Sequence, residues 1–176
     1  WCGLSTYDGC MQSDGFGPGA QAQGKDLRQH DLFARNLTHM NFMGADLRGV
    51  NLRASKLVGA YFQGANLEGA NLEHANLEGA HLEGANLQRA DLRALLKHAH
   101  LQGANLEGAN LEGVLLEGTR FDGANLRNVN LKDALLEETH LYGANLEGAN
   151  LDGATLIRVY LDGSNVAGTL LEQTGQ

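Results

Sequence analysis

From Asp26 onward the chain repeats itself every five residues, and this period constrains the fold more than any other feature. The unit is a small residue, Asn or Asp, Leu, then two variable positions. Ala65-Asn66-Leu67-Glu68-Gly69 is followed directly by Ala70-Asn71-Leu72-Glu73-His74. Fourteen central positions run from Leu27 to Leu92 and sixteen more from Leu96 to Leu171. Twenty-six of these thirty are Leu, and the others are Phe42, Phe62, Phe121 and Val166. An α-helix advances about 100° per residue, so five residues would turn about 500° and spread the leucines over every face. A strand has a period of two, and five is odd. A chain that turns a corner at each repeat solves the problem. It aims every central residue, and the small residue two places before it, at one axis, and it leaves three positions facing water.

The number of sides follows from a longer period. Ala94-Leu95-Leu96, Val114-Leu115-Leu116, Ala134-Leu135-Leu136 and Ala154-Thr155-Leu156 recur at a step of twenty. The glycines at 44, 64 and 84, and those at 103, 123, 143 and 163, share that step. Four repeats therefore make one coil. Thirty repeats predict about seven and a half coils, a rod about 36 Å long at ordinary strand spacing.

These A-[N/D]-L-x-x units resemble the pentapeptide-repeat family over residues 25–173. The resemblance implies an all-β fold, a right-handed quadrilateral parallel β-helix, with handedness coming from the family and not from the spacing. Leu at the centre looks more like the cyanobacterial and plastid branch than the gyrase-inhibitor branch, which carries more Phe. The expected organisation is a Gly-rich capping segment at 1–24, the β-helix at 25–173 and a tail at 174–176.

Two places break the pattern. Ala90-Asp91-Leu92-Arg93 is a four-residue unit, so one coil has nineteen residues. That is either a tolerated deletion at a corner or a kink shaped for a partner. At the start of the repeats the inward positions are Lys25, His30, Arg35 and Met40, which are not expected to lie buried and unpaired against leucine. That coil should be an open end, covered by Trp1, Leu4, Tyr7 and Phe16, because solenoids need caps. No comparable cap follows Leu171, which leaves that coil bare or available for end-to-end contact.

A net charge of −8 argues against nucleic acid or anionic membrane as a partner. No run of about eighteen apolar residues is present to insert into a bilayer. Cys2 and Cys10 are either a disulfide or two free thiols, and no further cysteine exists to complete a zinc site. The chain opens at Trp1 without an initiator Met, as expected after removal of a targeting peptide or trimming. With the disulfide candidate and the plastid-like repeat, this favours an exported, oxidising compartment, specifically the thylakoid lumen.

No catalytic constellation is visible and no cofactor is implied. The histidines are scattered, and Glu68, Glu73, Glu78 and Glu83 follow core leucines, as expected of a solvated wall. Acid–base work would need a sheltered pocket. The position before each core residue is more informative. On two sides it is Asn or Asp almost throughout, as befits turn capping. On a third side it becomes Leu95, Leu115 and Leu135, and on the next Tyr61, His81, His100, Arg120, His140 and Tyr160. These adjacent stripes are either packing across a corner or a docking patch.

The leading functional expectation is a non-enzymatic rod that docks on a protein partner or multiprotein complex through those stripes. Histidines in file also make binding a candidate for pH control. The alternative is a DNA-mimic inhibitor of a topoisomerase, which wants a continuous acidic face. One side instead reads Arg28, Arg48, Glu68, Gln88, Glu107, Arg127, Glu147.

Overall fold

The computed structural model describes residues 15–174. Parallel bridges join residues one coil apart in four columns. Asn41 pairs with Tyr61, Asp46 with Asn66, Asn51 with Asn71 and Asn36 with Lys56, each at a step of twenty. The step falls to nineteen across the short unit, where Asn76 meets Leu95 and His81 meets His100. Each side contributes little more than one paired residue per coil. Only Leu135–Glu137 (β1) and Thr155–Ile157 (β2) lengthen to three, pairing in parallel with Leu136 against Leu156.

One repeat shows why so brief a side is stable. Asn66 N–H donates to Ala45 C=O in the coil before (2.9 Å), and Leu67 N–H donates to Asn86 C=O in the coil after (2.7 Å). Glu68 N–H donates to the Asn66 side-chain oxygen (3.2 Å). Gly69 N–H reaches Gln88 C=O (2.9 Å), and Ala70 N–H closes the corner onto Leu67 C=O (3.0 Å). All five donors of the unit are satisfied, two upward, one downward and two locally, as a folded backbone requires. The Asn therefore caps its own turn, and it also reaches along the rod, Asn86 Nδ2 donating to Asn66 Oδ1 at 3.1 Å.

The interior is a file of leucines with small residues between them. Central residues from Leu27 to Leu151 and nearly all their small partners are buried, and Phe42 stacks on Phe62 inside the rod at 4.8 Å. Buried hydroxyls are satisfied: Thr119 Oγ1 donates to Leu96 C=O (2.8 Å) and Thr139 Oγ1 to Leu116 C=O (2.9 Å). Corners turn through positive φ. Where a bulky corner residue lies over the next coil, glycine there gives it room. Gly118 has φ 63°, and an added Cβ would collide with the His98 ring of the coil before it.

The ends refine the expectations. The ladder begins upstream of residue 25: Gln21 bridges Asn41, and Ala22 is buried in a position otherwise held by Leu. Gly19, Ala22 and Gly24, within the expected capping segment, already bond to the next coil. Phe16 is nearly buried, its ring 4.9 Å from His30. Lys25 and His30 stay exposed, whereas Met40 is fully buried, contrary to expectation. Methionine has no charge to strand, and its unbranched side chain fills irregular gaps. Trp1, Leu4, Tyr7 and the Cys2–Cys10 pair lie outside the described residues. At the other end a 3₁₀ turn, Leu170–Thr174, follows the last repeats. The Glu172 carboxylate accepts Gly168 N–H at 2.7 Å, yet Leu156, Leu161 and Val166 remain only partly buried.

Leu106→Ala should cost about 2–5 kcal/mol, as for other buried leucines, and Leu115→Ala far less, because its side chain is 54% exposed. Chemical denaturation of both variants checks this, and equal losses would overturn the inward and outward assignment.

Candidate docking faces

The two columns poor in Asn are built differently from the two that carry it or Asp almost throughout. With Tyr, His or Arg before the core residue, the next backbone N–H loses its side-chain acceptor, and the rings stack along the rod instead. Tyr61 lies 5.2 Å from His81, and His81 lies 4.9 Å from His100, both pairs nearly parallel. Arg120 interrupts the file, which resumes with His140 against Tyr160 at 4.7 Å. All six residues predicted for this stripe are thus brought into one column by successive bridges.

Charge on this column is compensated unevenly. His81 Nδ1 meets Glu83 Oε1 at 3.2 Å, and Arg120 holds Asp122 at 3.0 Å. His100 is followed by Gln102 and has no such carboxylate. Partial burial, then His81 beside it, push the His100 pKa below its ordinary 6.5; Arg120 and His98 add to the effect, while Glu83 opposes it. Next to the rings, Gln63 Oε1, Glu83 Oε2, Gln102 Oε1 and Asp122 Oδ1 are buried without a hydrogen-bond partner among the described residues.

The leucine stripe is less uniform than its sequence. Leu95 and Leu115 are 52% and 54% exposed, but Leu135 is half-buried within β1. Leu95 bridges only Asn76, and Leu115 bridges only Leu135. Between them the column parts, leaving a notch of about 540 Å³ beside the four-residue unit. Sequence reasoning missed this opening, and it missed Phe33, Met43, Tyr142 and Ile157, which are all substantially exposed. These four occupy the position after the core residue, where Glu, Gln or Arg is usual, and that departure was the available signal. Tyr142 adds to the ring stripe, 5.9 Å from His140 and 5.7 Å from Tyr160.

Elsewhere the walls are solvated and mixed in sign. Arg28 pairs with Asp26 (2.6 Å) and reaches Asp46 (3.4 Å), and Arg127 pairs with Glu147 of the next coil (3.2 Å). No group of three or more His, Cys, Asp or Glu among the described residues is arranged to hold a metal. No helix among them is long and apolar enough to cross a membrane.

A histidine whose folded pKa lies below 6.5 binds its proton more readily in the unfolded chain. Its contribution to stability is present above pH 6.5 and is lost as pH falls through that value. Unfolding midpoints at pH 7.5 and 5.5 should therefore fall further for the native protein than for His100→Gln. Equal falls would place the pH sensitivity elsewhere.

The family model for pentapeptide repeats matches residues 26–64, 55–93, 94–133 and 130–166, in eight copies. Among solved structures, the chain is similar to HetL, a protein involved in heterocyst differentiation regulation from the cyanobacterium Nostoc sp. strain PCC 7120. The identity is 33%, over 86% of this chain and 78% of HetL, with a TM-score of 0.61. A pentapeptide repeat protein from the Arabidopsis thaliana thylakoid lumen is 30% identical over 63% of this chain and 71% of its own, with a TM-score of 0.34. QnrB1, a plasmid-mediated fluoroquinolone resistance protein, is 16% identical over 93% of this chain and 98% of its own, with a TM-score of 0.36. No curated protein matches.

Proposed function

Because this chain belongs to the pentapeptide-repeat family, we propose that it is a non-enzymatic docking rod, a right-handed β-helix of about seven and a half coils at four repeats each that binds a protein partner through its leucine and ring columns. One observation carries this reading. The two Asn-poor columns lie side by side and expose large apolar and aromatic groups, Leu95, Leu115, Tyr61 and Tyr160. Interfaces draw their binding energy from such anchors, Tyr and Arg above all, set among groups that exclude water. Rigidity helps, because a surface held by stacked coils loses little side-chain freedom on binding. Ion pairs of alternating sign along the walls do not make the continuous acidic face that a DNA mimic needs. The plastid-like repeat style and the two cysteines, Cys2 and Cys10, support placing the rod in an exported compartment, the thylakoid lumen first.

The test is affinity capture with the full chain from a lumenal extract, the retained protein being quantified against variants. Leu115→Asp and Tyr160→Asp should each weaken retention by more than about tenfold, as loss of a binding anchor does, whereas Asn125→Asp, on a polar side, should change it little. A partner held equally by all four proteins would show that these columns are decorated walls.

A further inference from the structure

The four-residue unit removes a corner residue, and with it several rungs of the ladder. Elsewhere the residue at a corner donates to a carbonyl nineteen ahead, as His74 does to Arg93 (2.8 Å) and Gly113 to Lys132 (2.8 Å). After Arg93 no residue fills that place. Ala94 N–H instead folds back to Leu92 C=O at 2.7 Å, and Glu112 C=O in the next coil receives no backbone donor among the described residues. The disturbance spreads one residue further. Leu116 N–H donates to Leu135 C=O (2.9 Å), but the equivalent bond from Leu96 to Leu115 is missing. Leu115 N–H, which should reach Ala94, is likewise unpaired among the described residues.

These unspent main-chain groups surround the notch between Leu95 and Leu115. Its walls are mainly apolar, with Ala94 and Val114 at the back and the two exposed leucines at the sides. Its cation is shared unevenly, Arg93 lying within the field of Glu112 but bonded to two other carboxylates. Arg93, on the rim, is taken up by Asp91 (2.6 Å) and Glu73 (3.1 Å), and His74 faces Glu73 at 3.6 Å. Glu112 has no cation within ion-pair distance among the described residues, only Asn130 Nδ2 at 3.1 Å.

Resting on the docking reading above, we propose that this notch seats an extended segment of the protein partner. The segment inserts one apolar side chain between Leu95 and Leu115 and sets a Lys or Arg against Glu112. Its backbone presents an acceptor to Leu115 N–H and a donor to Glu112 C=O, the pairing by which extended peptides complete an open ladder. Charge favours a basic segment through the chain's net −8 and through Glu112, which makes no close ion pair among the described residues. The missing corner residue thus creates a recognition pocket on a rod whose other corners are closed.

The probe is a displayed library of random peptides selected on the full chain, followed by titration of the enriched peptides. The expected consensus pairs an apolar residue with a neighbouring Lys or Arg. A glycine inserted between Arg93 and Ala94 restores the twentieth residue and closes the notch, and should weaken binding by about tenfold or more, as should Glu112→Lys and Leu115→Ser. Glu147→Lys, on another wall, should leave it within about twofold. Circular dichroism establishes that the insertion variant folds. If it does not, the two substitutions at exposed side chains decide alone. Peptides that bind all variants equally, peptides with an acidic consensus, or no enrichment would each overturn the notch as a site. So would concentration-dependent self-association that the insertion abolishes, which would assign the notch to a second copy. Docking through the ring column is read separately by Tyr160→Asp, so either idea can fail without the other.

Discussion

Each repeat must dispose of five backbone N–H groups without the help of a long strand or helix, and the whole molecule is organised by how it does so. Two go up to the coil after, one goes down to the coil before, one closes the corner and one is taken by the Asn side chain. Because the upward and downward bonds always span about one coil, a coil that departs from its neighbours' length, as the nineteen-residue one does, leaves bonds unmade. The leucine file is the second half of that constraint. Residues pinned at equal height on four sides point inward together, and a side chain of Leu size with Ala beside it fills the axis. Removing either element removes the reason for the other.

Much of this was legible in the sequence because the repeat states it thirty times. The step of twenty, the inward Leu and the capping Asn all follow from residue types at fixed offsets, and Leu106 and Asn66 sit where that reading places them. What was not legible depended on neighbours along the rod and not along the chain. The half-burial of Leu135 comes from its place in β1, a lengthened pairing that no local motif announces. Met40 looked unfit for the core only because it shared a phase with Lys25, His30 and Arg35. The upstream start of the ladder was hidden because Ala22 stands where Leu is usual.

The candidate site shows the same division. Both stripes were readable as departures from Asn, but the pairing of His81 with Glu83 and of Arg120 with Asp122, with no such carboxylate beside His100 or His140, required knowing which side chains fold back on their own column. The notch was half visible. A missing residue could be counted, yet its effect, the parting of Leu95 from Leu115, arises because the adjoining coils keep the ordinary step while this one cannot. A deletion in a globular loop is absorbed locally. In a stacked coil it is passed to the next layer as unpaired backbone.

That same layer has a consequence for how the chain assembles. Nearly every rung joins residues about twenty apart, so the entropy of closing the next coil is modest and alike at each step, and the rod can grow by zipping from any completed coil. At the notch one of four columns offers no rung. Propagation across it relies on the other three columns and the continuous leucine file, which makes this layer the natural seam between a lower and an upper cooperative block. Amide exchange along the rod would carry the imprint of that seam as a step in protection, and a chain otherwise uniform from coil to coil would behave as two bodies sharing one core.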